Sequence, residues 1–101
     1  MSARNYWRNM KSILQTIDAC WVCGTRQNLH THEVFYGTAN RKKSIKYSLQ
    51  VKLCGRHHNL SSEGVHFNKA LDTQLKMFAQ KKFEEKYSHE KFMEVFKKNY
   101  L

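Results

Sequence analysis

The residues of this chain that could carry out metal chemistry lie in two short stretches. Residues 20–35, CWVCGTRQNLHTHEVF, hold two cysteines separated by two residues, then two histidines and a glutamate. Residues 53–68, LCGRHHNLSSEGVHFN, hold the third cysteine and three histidines. Thiolates and imidazoles are the ligands that Zn²⁺ prefers, and imidazoles also bind other transition-metal ions. The two stretches together therefore predict metal binding.

The spacing of the cysteines predicts a structural zinc. Cys20 and Cys23 form one pair with a two-residue gap, and Cys54 and His57 repeat that gap thirty residues later. Four such ligands can close a tetrahedron around Zn²⁺, although His58 is adjacent to His57 and could replace it as the fourth ligand. A redox role for the first pair would leave Cys54 without a function, and three buried thiols would leave the spacing unexplained. We therefore predict a zinc site that uses all three cysteines.

The composition indicates a small basic domain. The chain has 101 residues, and a domain of this size often needs a metal or a disulfide for stability. Eighteen Lys and Arg residues stand against eight Asp and Glu residues, a formal net charge of +10, so nucleic acid is the expected partner. No apolar run is long enough to span a membrane, and the start MSARNYWRNMK lacks a signal-peptide core. We expect a soluble, intracellular protein with no membrane partner; the sequence gives no indication of its oligomeric state.

The placement of the basic residues is more informative than their number. A basic run with no acid among its members follows the first histidines: Arg41, Lys42, Lys43 and Lys46. We expect these four side chains to contact nucleic-acid phosphates. In the last third of the chain basic and acidic residues alternate, which is typical of exposed helix faces.

Hydrophobic periodicity predicts the secondary structure. A helix is expected over residues 1–18, strands over 29–36 and 48–53, and a long basic loop over 37–47 between them. The two strands would form a hairpin. A short helix should cover residues 54–60, a long helix residues 68–87, and a last helix should carry Phe92, Phe96 and Tyr100.

Five histidines remain once the zinc ligands are assigned, and four of them lie in the two stretches quoted above. These four histidines lie on the first strand and in and after the short helix: His30, His32, His58 and His66. They can meet over one hairpin, because the helix that follows the second strand packs back on it. His30 shares a strand face with His32, so it either orients a ligand or is a surface histidine.

Residues 20–68 resemble the HNH nucleases, also called ββα-metal or His-Me finger nucleases. The remaining residues look like the C-terminal extension of small phage or prophage HNH proteins. The resemblance implies an α+β fold in which a zinc-stapled ββα-metal core is flanked by N- and C-terminal helices. The chain would be one HNH-like domain, 1–101, with an N-terminal helix at 1–18, the core at 19–67 and a C-terminal helical extension at 68–101.

The resemblance also implies roles for particular side chains. In the family, a histidine or aspartate followed by a histidine and an aliphatic residue supplies a metal ligand and then a general base, and here His32 and Glu33 match those two places. The family's helix adds two further ligands, which match His58 and His66. These three histidines would hold a catalytic Mg²⁺, Mn²⁺ or Ni²⁺, with His32, Glu33 and His58 as catalytic residues.

Two positions depart from the family pattern. Glu33 stands where the family has an imidazole, and a carboxylate has a lower reference pKa and is a weaker base. The family's central asparagine would fall near Leu49, so Asn40 in the connecting loop is the nearest residue that could replace it.

The resemblance implies a metal-dependent endonuclease of phage type, a hydrolase of DNA phosphodiester bonds in the cytoplasm of a bacterial host. A different class of function stays open. The chain could be a zinc-stabilised DNA-binding or recombination-accessory protein with a degenerate HNH site. An RNA partner is the third possibility, because charge alone does not separate RNA from DNA.

Overall fold

The computed structural model describes residues 12–101. Within this range the chain forms a mixed α/β fold with one two-stranded sheet and four helices. In chain order the elements are β1 (Leu29–Glu33), α1 (Asn40–Lys46), β2 (Gln50–Cys54), α2 (Gly55–His58), α3 (Lys69–Lys86) and α4 (His89–Phe96). None of the helices in the described range combines the length and the apolar character needed to cross a membrane.

The two strands form the predicted antiparallel hairpin. His32 lies opposite Val51 and His30 lies opposite Leu53, so both histidines are on the same face of the sheet. Val51 and Leu53 are buried, with 2% and 0% of their surface exposed. Burial of Val51 and Leu53 favours this pairing register of β1 and β2, because a shift of β2 by one residue would turn both side chains to the other face of the sheet. The histidines of β1 are thereby placed over the core face of the hairpin.

The connection between the strands is a helix, so the predicted loop over residues 37–47 is wrong. Ser44 is the buried residue of α1, and its hydroxyl donates to the Phe35 carbonyl at 2.6 Å and accepts from the Phe35 amide at 3.0 Å. Lys43 and Lys46 lie in the last turn, where they complement the negative end of the helix dipole. Ser48, at φ 60°, ends the segment before β2. The helix is thus fixed to the end of β1 by a hydroxyl rather than by an apolar stripe.

Residues 12–18 are not helical, so this part of the predicted N-terminal helix is wrong, and residues 1–11 lie outside the described range. The segment instead runs along the outer edge of β2. The Ile13 amide donates to the Ser48 carbonyl at 3.0 Å, and the Lys52 amide donates to Gln15 Oε1 at 2.7 Å. An edge strand presents unpaired backbone groups. Here residues 12–18 form hydrogen bonds with those backbone groups of β2. These bonds take the place of the helix that the positions of Ile13 and Leu14 predicted.

The two C-terminal helices confirm the prediction for residues 68–87 and for the segment after Ser88. The side chain of Asn68 accepts from the Leu71 amide at 3.2 Å and caps α3, and Ser88 accepts from the Lys91 amide at 3.0 Å and caps α4. Tyr100, predicted to lie on the last helix, follows it.

The core is one cluster of apolar side chains from the hairpin, α3 and α4. The Phe35 ring lies 5.5 Å from that of Phe92 and 4.5 Å from that of Phe96, centroid to centroid. Phe83 of α3 lies 5.4 Å from Phe92. The aromatic residues of the C-terminal helices therefore pack against the chain segment that leaves β1, which is the role their spacing predicts.

Candidate functional site

Three cysteines and one histidine form a compact group that could hold a metal ion such as zinc. The ligand atoms of Cys20, Cys23, Cys54 and His57 lie within 4.8 Å of one another. The distances are 3.9 Å from Cys23 Sγ to Cys54 Sγ, 3.3 Å from Cys54 Sγ to His57 Nδ1, and 3.8 Å from Cys20 Sγ to His57 Nδ1. A tetrahedral zinc with ordinary bond lengths needs edges of about 3.8 Å between sulfurs and about 3.5 Å between sulfur and nitrogen. The four side chains are thus spaced as zinc ligands.

The first cysteine pair sits on a tight turn fastened to the sheet. The Gly24 amide donates to the Cys20 carbonyl at 2.9 Å, and the Cys20 amide donates to the Thr25 carbonyl at 2.8 Å. Gly24 has φ 78°, a left-handed conformation that glycine adopts without steric cost. The Trp21 amide donates to the Lys52 carbonyl of β2 at 2.8 Å. This last bond brings the turn beside the end of β2, where Cys54 lies.

The thiols of this group differ in acidity: the pKa of Cys20 is lowered, whereas burial raises the pKa of Cys54. All three cysteines are free, and the 3.9 Å between the sulfurs of Cys23 and Cys54 is far beyond a disulfide bond length. Burial would raise the pKa of the Cys20 thiol, but hydrogen bonds from the backbone of Cys54, Cys23 and Val22 outweigh burial and lower the pKa to about 6. Cys20 therefore favours the thiolate, the form that binds metals.

Three histidines form a second group beside the first. The ligand nitrogens of His32, His58 and His66 lie within 4.8 Å of one another. The ring centroids are 5.3 Å apart for His32 and His58, 5.2 Å for His32 and His66, and 4.8 Å for His58 and His66. Nε2 of His58 is 3.1 Å from Nε2 of His66. His57 thus joins the cysteines and His58 joins the other histidines, so the choice between them as fourth zinc ligand falls on His57.

The three histidines could hold a metal ion. His32 is 2% exposed, and its Nε2 has no hydrogen-bond partner among residues 12–101, although an unpaired buried polar atom is costly. Burial, followed by the charges of His58, His66 and Lys76, lowers the pKa of His32 to about 3. Burial, followed by His66 and His30, lowers the pKa of His58 to about 4. Both rings are neutral near neutral pH and keep a lone pair, so the residues fit a divalent metal ion.

The backbone explains how His66 reaches His58 across eight positions. The chain after α2 turns back so that the Val65 amide donates to the His57 carbonyl at 2.8 Å and the His66 amide to the His58 carbonyl at 3.3 Å. A Cβ at Gly64 would lie 2.6 Å from the His58 carbonyl oxygen and 2.8 Å from its carbon. Because no side chain fits this close approach, Gly64 is needed for the return. The sequence analysis did not identify Gly64. A glycine two residues before a candidate ligand was the available sign that the backbone makes a close approach there.

Glu33, the predicted base, is not one of the grouped residues, whereas His30 contacts His58 through its Nδ1 at 2.8 Å. Glu33 follows His32 on β1, so strand alternation places its side chain on the opposite face of the sheet. Its Oε1 lies 3.4 Å from Nε of Arg41. Asn40 is the first residue of α1, where no side-chain hydrogen bond caps the helix. The structure therefore unites the three predicted histidine ligands without the predicted base.

An aromatic ring and a cation border the histidine group on the side of α3. The Tyr36 ring lies 5.6 Å from that of His32 and 5.0 Å from that of His66. Nζ of Lys76 lies 4.6 Å from the Tyr36 centroid and 2.8 Å from Asp72 Oδ2. Sequence reasoning missed Lys76, because the α3 periodicity pointed only to packing. The C-terminal extension thus contributes to the surroundings of the site.

The basic run is displayed on one short helix. Arg41, Lys42 and Lys46 are exposed on α1, and Lys43 is half-buried. This helix lies in the connection between β1, which carries His32, and β2. Comparison of the chain with models of known protein families, with curated proteins and with solved structures found no match.

Proposed function

We propose that the chain is a metal-dependent endonuclease of HNH type that hydrolyses DNA phosphodiester bonds. The observation that carries the proposal is the convergence of His32, His58 and His66 around a buried, unpartnered Nε2. The net charge of +10 supports a polyanionic substrate. We place such an enzyme in the cytoplasm of a bacterial host, as a phage or prophage product, on the resemblance of residues 20–68 to HNH nucleases.

The two metal-binding groups would have different roles: the group with the cysteines would stabilise the fold, and the histidine group would hold the catalytic ion. His57 binds the structural zinc together with the cysteines, and His58 follows directly on the same helical turn. Zinc at the first group would therefore hold α2 still and present His58 to His32 and His66. This arrangement supplies the rigid support that a catalytic ligand needs.

The histidine group would hold one divalent ion over the scissile phosphate. An all-imidazole set suits Mn²⁺ or Ni²⁺ at least as well as Mg²⁺, which prefers oxygen ligands. When bound, such an ion stabilises the negative charge that develops on the phosphate and on the leaving 3′ oxygen. A water oxygen then bonds to phosphorus as the bond to the 3′ oxygen breaks. His32, His58 and His66 serve as ligands throughout and transfer no proton.

Glu33 is the residue proposed to take the proton from that water. Its carboxylate lies on the opposite face of β1 from His32 and 3.4 Å from Nε of Arg41. The side chain of Arg41 is 68% exposed, and phosphate binding by Arg41 would release this contact. Release alone would not bring Glu33 to the histidine face, so the role of base also requires a rearrangement of the end of β1.

The cations of α1 would hold the nucleic-acid backbone. Arg41, Lys42 and Lys46 project from a helix that Ser44 fixes to the end of β1. Contacts of this kind position a duplex without reading its sequence. The proposal therefore includes no sequence specificity from α1.

A plasmid-nicking assay tests the proposal. Zinc-loaded wild-type protein is incubated with supercoiled plasmid and Mg²⁺, Mn²⁺ or Ni²⁺, beside His58→Ala and the matched control His89→Ala, an exposed histidine on α4. We expect nicking by the wild type and the control, and loss of nicking in His58→Ala with the fold retained. Equal nicking by all three proteins would refute the assignment.

A second function is favoured by the position of Glu33. A base that is paired with Arg41 on the opposite face of β1 is also what a non-cleaving descendant of a nuclease would show. Such a DNA-binding or recombination-accessory protein would bind DNA in a salt-sensitive manner without metal-dependent cutting. Competition between DNA and RNA of equal length would identify the preferred nucleic acid.

A further inference from the structure

His30 makes the shortest polar contact of the histidine group, although it is not one of the three grouped ligands. Its Nδ1 lies 2.8 Å from Nδ1 of His58, and the two rings meet edge to face at 87° with centroids 5.0 Å apart. The other nitrogen of His58, Nε2, is 3.1 Å from Nε2 of His66. The two nitrogens of His58 are therefore committed to different partners.

We propose that His30 is a positioning residue that holds His58 in the tautomer required for metal binding. The inference rests on the metal-binding role proposed for His32, His58 and His66, and not on cleavage. In this arrangement His58 donates its Nδ1 proton to the Nδ1 lone pair of His30, and its Nε2 lone pair faces the space shared with His66 and His32.

The hydrogen bond between Nδ1 of His30 and Nδ1 of His58 can have two arrangements, which differ in the ring that donates the proton. A nitrogen pair 2.8 Å apart needs one proton between its members, so either His58 or His30 donates. If His30 donated, the remaining proton of His58 would be on Nε2 and would close that nitrogen to a metal. Only donation by His58 is compatible with a metal at the histidine group.

The same arrangement is consistent when no metal is bound. His66 is exposed and can carry its proton on Nε2, from which it donates to the Nε2 lone pair of His58 at 3.1 Å. Metal binding then requires a tautomer change only in His66, where solvent can exchange the proton. His58, which is half-buried, needs no change. With His30 as its acceptor, His58, the less accessible ring, can bind a metal without changing its tautomer.

Metal-bound histidines usually donate their second N–H to a carboxylate or a carbonyl oxygen, which fixes the ring and raises its basicity. Here the acceptor is an imidazole on the same strand face as His32. Asparagine tests this role closely, because its Oδ1 occupies the same position along the side chain as Nδ1 of histidine. Leucine has a similar shape and no acceptor.

The experiment uses the zinc-loaded full chain and reads two quantities without nucleic acid. Nitrogen-15 NMR of the histidine rings reports which nitrogen of His58 carries the proton, and electron paramagnetic resonance of free Mn²⁺ gives the dissociation constant. We expect the Nδ1–H form of His58 in the wild type and in His30→Asn. We expect the Nε2–H form in His30→Leu, with Mn²⁺ binding weakened by about 10–100-fold. His30→Asn should stay within a few-fold of the wild type.

The possible outcomes separate this proposal from that of the nuclease. An Nε2–H form of His58 in the wild type, or unchanged Mn²⁺ binding in His30→Leu, would overturn the role of His30. If the leucine variant does not fold, the wild-type tautomer and the asparagine variant decide the question. Mn²⁺ binding that responds to His30 without any nicking of DNA would sustain the positioning role while the proposed cleavage failed.

Discussion

His57 and His58 are neighbours in the chain, yet they belong to two metal-ligand groups of different character. His57 is 9% exposed and faces three thiols, which makes a closed set of four ligands. His58 is half-buried and is grouped with two other possible ligands, His32 and the exposed His66, while His30 contacts its other nitrogen. Structural zinc sites are closed in this way, whereas catalytic sites keep a position open for water or substrate. One helical turn thus joins a closed group to an open one.

The two groups have opposite effects on stability. The closed group ties the turn at Cys20 to the end of β2, so a metal there would contribute directly to folding. The open group leaves the buried Nε2 of His32 unpaired, an arrangement that costs stability until a ligand arrives. Stability supplied by the first group can therefore offset the cost of the second.

The largest effect should follow removal of metal from the closed group. Structural zinc contributes about 10–16 kcal/mol in small zinc-binding peptides, which is as large as the whole stability of a typical domain, about 5–15 kcal/mol. We expect a strong chelator to unfold the chain, with loss of circular dichroism in step with zinc release. Retention of a cooperative thermal transition in zinc-free protein would show that this group is not structural.

Substitution of the two neighbouring histidines should separate the groups. His57→Ala removes a ligand from the closed group and should lower zinc content and the free energy of unfolding. His58→Ala removes a ligand from the open group and should leave zinc bound. Thermal unfolding and zinc analysis of both variants check this. Equal destabilisation of the two proteins would mean that the groups are not separate.

A smaller effect is expected at the chain return between the two groups. In Gly64→Ala the new Cβ would meet the backbone of His58, which calls for a shift of the loop and a cost of about 1–3 kcal/mol. Ser62→Ala, an exposed change in the same loop, is the matched control. We expect weaker Mn²⁺ binding and a lower unfolding temperature in the Gly64 variant alone. Wild-type behaviour of both variants would contradict the close approach.

The smallest effect concerns the helix between the strands. Neutralising Lys42 and Lys46 to glutamine should reduce the salt dependence of DNA binding, with the slope falling by about 0.9 for each phosphate that the protein no longer neutralises. Filter binding over a range of salt concentrations measures the slope. The same double change at Lys81 and Lys86 of α3 is the control. An equal reduction of the slope in that control would show that DNA binding depends on the net charge and not on the position of the cations on α1.

The sequence predicted those features that depend on local spacing. Two-residue gaps identified the group of Cys20, Cys23, Cys54 and His57, because a tight turn brings the ends of such a gap together. Alternation predicted the hairpin, and periodicity together with the capping residues Asn68 and Ser88 predicted α3 and α4.

The features that depend on distant partners were mispredicted or missed. Residues 12–18 are bonded to the edge of β2 instead of forming a helix, and α1 is held through the hydroxyl of Ser44, which leaves no apolar period. Strand alternation alone would have placed the side chain of Glu33 on the face opposite His32. The prediction followed the family pattern instead and assigned Glu33 to the same site as His32. His66 reaches His58 only through the return at Gly64, which is a tertiary contact.

The most direct test of the two-group arrangement is a metal count on one pair of proteins. Wild type and His58→Ala are each prepared with one equivalent of Zn²⁺, which the closed group of four ligands should bind first. The zinc content is determined, and each protein is then titrated with Mn²⁺ followed by electron paramagnetic resonance. We predict one zinc per chain in both proteins and one bound Mn²⁺ per chain in the wild type only. Mn²⁺ binding of equal strength in His58→Ala, or loss of its zinc, would contradict the division of His57 and His58 between two sites.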